Sequence, residues 1–200
     1  MKLVFASNNK HKLDEVRQIF STDVEVISLQ EISFLQEIDE IGETLEENSA
    51  LKAQEVWNWI KNHKLSSVID GVFADDTGLE VDALGGEPGV RSARYATDGH
   101  DDEANKRLLL ERMSGVENRA AQFRTAVALI LDGKEYLFEG VVRGAIAAEQ
   151  HGEGGFGYDP LFFPEGGDRT FAEMSGEEKN AISHRGRAVR KLAEFLQEKI

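Results

Sequence analysis

Two runs of strand-forming residues, 123–131 and 136–146, stand on either side of Asp132-Gly133. An Asp-Gly pair between such runs signals a tight hairpin, because both central residues of that turn take positive φ. The spacing therefore predicts one long hairpin late in the chain. The opening reads differently. Residues 3–6 are a short apolar run, and Ser7-Asn8-Asn9 has turn and helix-capping chemistry. Leu13, Val16 and Phe20 then recur at helical spacing, over about 10–20, and 24–29 resemble a second strand. Strand–turn–helix–strand at one end and a hairpin at the other place the fold in the α/β class, with a mixed sheet.

Between these ends, Thr44 followed by Glu47 forms a capping box. The helix it starts carries Ala53, Trp57 and Ile60 on one face. Residues 68–74 read as a strand running into Asp75-Asp76-Thr77-Gly78. Residues 85–97 form a loop rich in glycine and arginine, and 103–113 are helical. Val189, Leu192, Leu196 and Ile200 mark a closing amphipathic helix. No repeat, low-complexity tract or linker divides the 200 residues, so a single domain is expected, at most two packed lobes.

The formal net charge of −14 argues against a nucleic-acid surface, which needs clustered Lys and Arg. It leaves room for a small anionic ligand in a local basic pocket. There is no cysteine, hence no disulfide framework and no thiolate metal site. The N-terminal apolar run is too short for a signal peptide, and nothing approaches the ~18 apolar residues of a membrane span. A cytoplasmic protein is expected.

Four segments carry chemistry. Residues 7–12 (SNNKHK) lie between a strand and a helix. Backbone N–H groups, two Asn amides and Lys10 or Lys12 at a helix N-terminus suit a phosphate, although a capped helix with surface lysines has the same letters. Asp75 and Asp76 at a strand's end suit Mg²⁺, which binds one or two carboxylates plus substrate phosphates. An Asp-rich turn reads the same way, and Asp-Thr-Gly also occurs in aspartic proteases, though only one copy is present. Residues 154–160 (GGFGYDP) put two aromatic faces and one carboxylate on a glycine-shaped backbone, which suits a flat heteroaromatic ring such as a nucleobase. In 178–185 (EKNAISHR), Ser183 reads as an N-cap, with His184 and Arg185 in the first turn of the last helix. Positive charge there opposes the helix dipole, which fits a ligand, although side chains that simply reach away into water would read the same way. Asn48 and Lys52, four apart, share a helix face.

In this order, over about 3–197, these segments resemble the inosine triphosphate pyrophosphatase family, also called Ham1-like. The carrying motifs are SNNKHK, TLEENSALKA at 44–53, ADDTGLEVDALGGEPGVRSARY at 74–95, GGFGYDPLF at 154–162 and EKNAISHR. The resemblance implies an elongated two-lobed α/β domain over 1–200, built on a mixed twisted sheet with flanking helices. It also implies an active-site cleft between the lobes and a homodimer. It implies hydrolysis of ITP, dITP and XTP to the monophosphate and pyrophosphate, with Mg²⁺. Ser7, Asn8, Asn9, Lys10, His11 and Lys12 would hold the triphosphate, assisted by Lys52 and with Asn48 on the same face. Asp76 would be general base and metal carboxylate, with Asp39 or Glu40 as the second acid and Thr77 beside the substrate. Lys12 and Lys52 would stabilise charge during the reaction. Phe156, Gly157, Tyr158, Asp159, Lys179, His184 and Arg185 would hold the base. The family often has Ser where Thr77 stands, and Phe-x-Glu-Asn-Ala where this chain reads Leu45-Glu46-Glu47-Asn48-Ser49. A pyrophosphatase for other modified nucleotides and a non-catalytic nucleotide sensor share much of this pattern.

Overall fold

The computed structural model describes residues 1–20 and 23–199. Contacts divide the chain into two compact units. The first comprises Met1–Asp76, Thr125–Gly140 and Gly186–Ile200; the second comprises Thr77–Arg124 and Val141–Arg185. Strands β1 (Lys2–Phe5), β2 (Glu25–Ser28), β3 (Gly71–Val81), β4 (Pro88–Gly89), β5 (Ala120–Leu131), β6 (Lys134–Ile146) and β7 (Phe162–Pro164) form one mixed sheet. Their order is β2-β1-β3-β5-β6-β7, with β4 on β3. β1 pairs in parallel with β2 and with β3, whereas β7 runs antiparallel to β6. The expected hairpin is β5–β6. Its turn has φ of 51° at Asp132 and 72° at Gly133, the positive values that the dipeptide foretold.

In the first unit, strand alternation sorts the core into two layers. Leu3, Phe5, Phe73, Val127, Leu129 and Leu131 face α1 (Lys10–Ile19) and α5 (His184–Gln197), which bury Val16, Val189, Leu192 and Leu196. Val4, Val72, Ala74, Ala128 and Ile130 face α2 (Leu45–Asn62). The buried line of α2 is Ala53, Val56 and Ile60, and Trp57 packs beside it half-buried. The capping box at Thr44 and Glu47 is formed as the letters indicate. Ile200, expected on α5, lies outside the described residues.

Ala53 has no exposed surface and belongs to the core layer that also holds Val4, Val72, Ala74 and Ala128. Ala53→Leu keeps helix propensity but overfills that layer. It is expected to lower stability by about 1–3 kcal/mol in urea unfolding, with the m-value unchanged.

The second unit has its own core. Leu79 and Val81 of β3, Ala121 and Phe123 of β5 and Val142 and Ile146 of β6 pack with Leu109 and Met113, on or just beyond α3 (Asp102–Arg112). Tyr158, Leu161, Phe162 and Phe171 complete it.

Two expectations change. The strand over 68–74 begins only at Gly71, and Val68 is 59% exposed after a short 3-10 turn. It then continues through Asp75-Asp76-Thr77-Gly78 to Val81 instead of turning there. A further helix, α4 (Gly176–Ile182), precedes α5, and Ser183 is the extended residue between them. Among the described residues no helix is long and apolar enough to cross a membrane.

Candidate active site

Because β3 runs on through the acidic pair, its two neighbouring carboxylates face opposite ways. Asp75 shares the parity of Phe73 and turns toward α1, where Lys12 Nζ lies 3.1 Å from its Oδ1. Asp76 shares the parity of Val72 and Ala74 and turns toward α2. There Asn48 Nδ2 donates to Asp76 Oδ2 at 3.1 Å, and Lys52 Nζ stands 3.7 Å from Oδ1. Lys52 also donates to Glu40 Oε1 at 2.6 Å. One ammonium is therefore held between two carboxylates from different parts of the chain. The shared face of Asn48 and Lys52 follows from their four-residue spacing.

The electrostatics are those of a buried, mixed-sign cluster. Burial alone would lower the Lys52 ammonium, but Asp76, Glu40 and Asp75 outweigh it and hold its pKa above the ordinary lysine value. Burial pushes the Asp76 carboxyl up. Lys52 and Lys12 pull it back without cancelling the rise, to which Glu40 adds. Of the two candidate second acids, Glu40 reaches Lys52 and is half-buried, whereas Asp39 is exposed.

The segment after β1 is ordered by its own side chains. Ser7 Oγ accepts from Asn9 N–H at 3.2 Å, and Asn9 Oδ1 caps α1 by accepting from Lys12 N–H at 3.2 Å. Asn8, Lys10 and His11 are exposed on this loop and first turn. Asn48 is only 2% exposed, and its Oδ1 accepts from Gly42 N–H at 2.8 Å. Both ends of its amide thus meet protein groups.

The second unit gathers the remaining candidates. Asp159 and Lys179 form an ion pair at 2.6 Å, with both side chains about 95% buried (4% and 5% exposed). Asp159 Oδ2 also accepts from Phe156 N–H at 2.9 Å. Lys179 Nζ lies 4.6 Å from the centre of the Phe156 ring and the Arg185 guanidinium 5.5 Å from it. Arg185, 1% exposed, donates to Thr77 Oγ1 at 3.2 Å. His184 stacks on Phe123 at 4.5 Å. The Tyr158 hydroxyl donates to Ser92 O at 2.8 Å, and burial pushes this phenol far above its usual range. Tyr158 therefore anchors the loop, while Phe156 keeps a half-buried ring.

Asp75, a metal candidate together with Asp76 in the sequence, serves Lys12 instead. Two contributors were not legible as site residues. Ser92 holds Tyr158, and its hydroxyl also links Leu79 N–H to Gly89 O. Asp102 accepts from Gly157 N–H at 3.0 Å, tying the start of α3 to the glycine–aromatic loop. The signal for α4 was available: Ser175 and Glu178 form a capping box. Hydrogen bonds from Arg169, then from Ser175 N–H, pull Glu178 down to about 2.

The chain is thus an α/β protein with lysine–carboxylate clusters built around one long strand. Residues 3–195 match the Ham1 family, and the chain belongs to it. It is 50% identical over 196 residues to a dITP/XTP pyrophosphatase of Porphyromonas gingivalis, covering 98% of this chain and 97% of that one. It is 46% identical over 196 residues to a dITP/XTP pyrophosphatase of Flavobacterium johnsoniae, covering 98% of each. The solved Ham1 protein of Staphylococcus aureus superposes with a TM-score of 0.85 at 39% identity over the full length of both chains.

Proposed function

We propose that this protein hydrolyses non-standard purine nucleoside triphosphates, dITP, XTP and ITP, to the monophosphate and pyrophosphate. The observation that carries the reading is the group Glu40–Lys52–Asp76–Asn48, buried except for a half-buried Glu40, on a chain nearly half identical, end to end, to named dITP/XTP pyrophosphatases.

The donor set fits a hard divalent cation, because Glu40 and Asp76 already converge on a single positive charge. Glu40 and Asp76 are the pair that would hold Mg²⁺, which binds one or two carboxylates together with substrate phosphates; among the described residues no group of three or more His, Cys, Asp or Glu gathers. When bound, Mg²⁺ would neutralise charge on the phosphate oxygens. Asp76 receives the proton of a water attacking the α-phosphorus, and its raised pKa makes it a better base than an exposed aspartate. The bond from the α-phosphorus to its bridging oxygen breaks, and pyrophosphate leaves. Lys12 and Lys52 balance charge on the phosphates, with the 7–12 segment offering the N-terminus of α1.

For the base, the candidates are Phe156, Asp159, Lys179 and Arg185. Lys179 and Arg185, which flank Phe156, carry donors only. They match the 6-keto acceptor of hypoxanthine and xanthine and oppose the 6-amino donor of adenine. Pyrophosphate release from dITP, XTP, ITP, GTP and ATP, with and without Mg²⁺, tests this. Release from dITP and XTP should require Mg²⁺ and exceed that from ATP by at least about 10²-fold. A preference for ATP overturns the reading.

A further inference from the structure

We infer that Asn48 is a positioning residue that ties the loop bearing Glu40 to the Asp76 carboxylate, fixing the spacing of the two acids. The inference rests on reading that pair as the metal's carboxylates. The geometry is a bridge with one polar atom on each side. Asn48 Nδ2 donates to Asp76 Oδ2 on β3, and Oδ1 accepts from Gly42 N–H, two residues after Glu40. Glu47 reinforces the same docking, since its Oε2 accepts from Glu43 N–H at 2.7 Å and Thr44 N–H at 3.2 Å. The loop 42–44 is therefore stitched to the first turn of α2. Glu40, just upstream, reaches Lys52 one helical turn beyond Asn48.

Gly42 shows how close this docking is. A Cβ there would lie 2.7 Å from Asn48 Oδ1 and 2.8 Å from Glu47 Cβ. Any side chain at 42 lifts the loop off Asn48. An amide suits the bridge because a single planar group supplies both a donor and an acceptor. A carboxylate at 48 would lose the donor to Asp76, and an aliphatic residue would lose both contacts. Groups one step removed from a metal typically change its affinity by about 10–100-fold when lost.

The test uses the whole chain carrying Asn48→Leu, a near-isosteric change, and Gly42→Ala, which alters neither an acid nor Asn48. Three readouts apply: amide hydrogen exchange at 42–44 in metal-free protein, Mn²⁺ binding without nucleotide, and steady-state kinetics at limiting and saturating Mg²⁺. Both variants should exchange faster at 42–44 and bind Mn²⁺ about 10–100-fold more weakly. The double variant should be little worse than either single one, because both cut the same bridge. Saturating Mg²⁺ should bring KM for dITP back toward wild type, with the dITP-to-ATP preference unchanged. If Asn48→Leu fails to fold, Gly42→Ala alone decides. Wild-type Mn²⁺ binding and exchange in a folded variant overturn the inference. So does a raised KM that excess Mg²⁺ leaves in place, which would put Asn48 on the substrate, or an absence of Mn²⁺ binding in wild type. Absence of pyrophosphate release by the wild-type chain defeats instead the proposed activity, and the exchange and Mn²⁺ readouts still judge the bridge.

Discussion

Asp76→Asn is expected to lower kcat for pyrophosphate release by at least about 10²–10³-fold while the chain folds as before. The substitution keeps shape and removes the charge and the proton-accepting oxygen. Lys52 is not stranded, because Glu40 remains 2.6 Å away. The sign of the stability effect follows from the direction of the Asp76 shift. Burial raises its folded pKa, so the folded chain holds the proton more tightly than the unfolded chain does. That contribution is present below the ordinary aspartate range and is lost as pH rises through the folded value. Above the folded value the ionised group therefore subtracts from stability, and there a neutral amide should leave the melting temperature unchanged or slightly higher. The same shift predicts that wild-type kcat/KM falls on the acid side with an apparent pKa above that of an exposed aspartate. A folded Asp76→Asn variant with near-normal turnover removes Asp76 from the chemistry.

Asp159→Asn is expected to cost about 3–5 kcal/mol of stability, a fall of about 10 °C in melting temperature. The new amide can still accept from Phe156 N–H, so the backbone contact survives. What changes is the Lys179 ammonium, buried and 2.6 Å from the oxygen that loses its charge. Removing one partner of such a pair exposes the full desolvation cost of the other, which far exceeds the net worth of the intact pair. Lys179→Met in the same chain should restore most of the stability, since the ammonium left without its carboxylate is then gone. It should not restore the preference for 6-keto purines, which needs the donor. Equal stability of the single and double variants would show that the cost lies elsewhere, for instance in the loop backbone.

Much of this architecture was open to reading from residues alone. Asp132-Gly133 specified its hairpin because few dipeptides tolerate two positive φ values in succession. Thr44 and Glu47 fixed the start of α2 by satisfying backbone donors locally. The course of β3 was less accessible. Asp-Asp-Thr-Gly has the intrinsic preferences of a turn, and only lysines brought from α1 and α2 make it tolerable inside a sheet. Those partners lie 63 and 24 residues away, so no local rule can announce them. The division of labour between Asp75 and Asp76 was hidden for the same reason: once the strand is known to continue, alternation dictates it. The helix α4 is seven residues of mostly charged and small type with no apolar stripe, so only its Ser175–Glu178 capping box announces it. Residues of the 154–160 loop were identifiable by type, but Ser92 and Asp102, which brace it, carry no signal beyond being polar.

The alternation along β3 also governs which length changes this gene product can survive. One residue inserted or deleted between Gly71 and Ala74 would exchange the destinations of Asp75 and Asp76, handing each lysine the wrong acid and reversing every apolar neighbour besides. Added residues at the Asp132-Gly133 tip would meet no such parity constraint. Drift in chain length among descendants of this sequence should therefore collect at that tip and leave the central strand untouched.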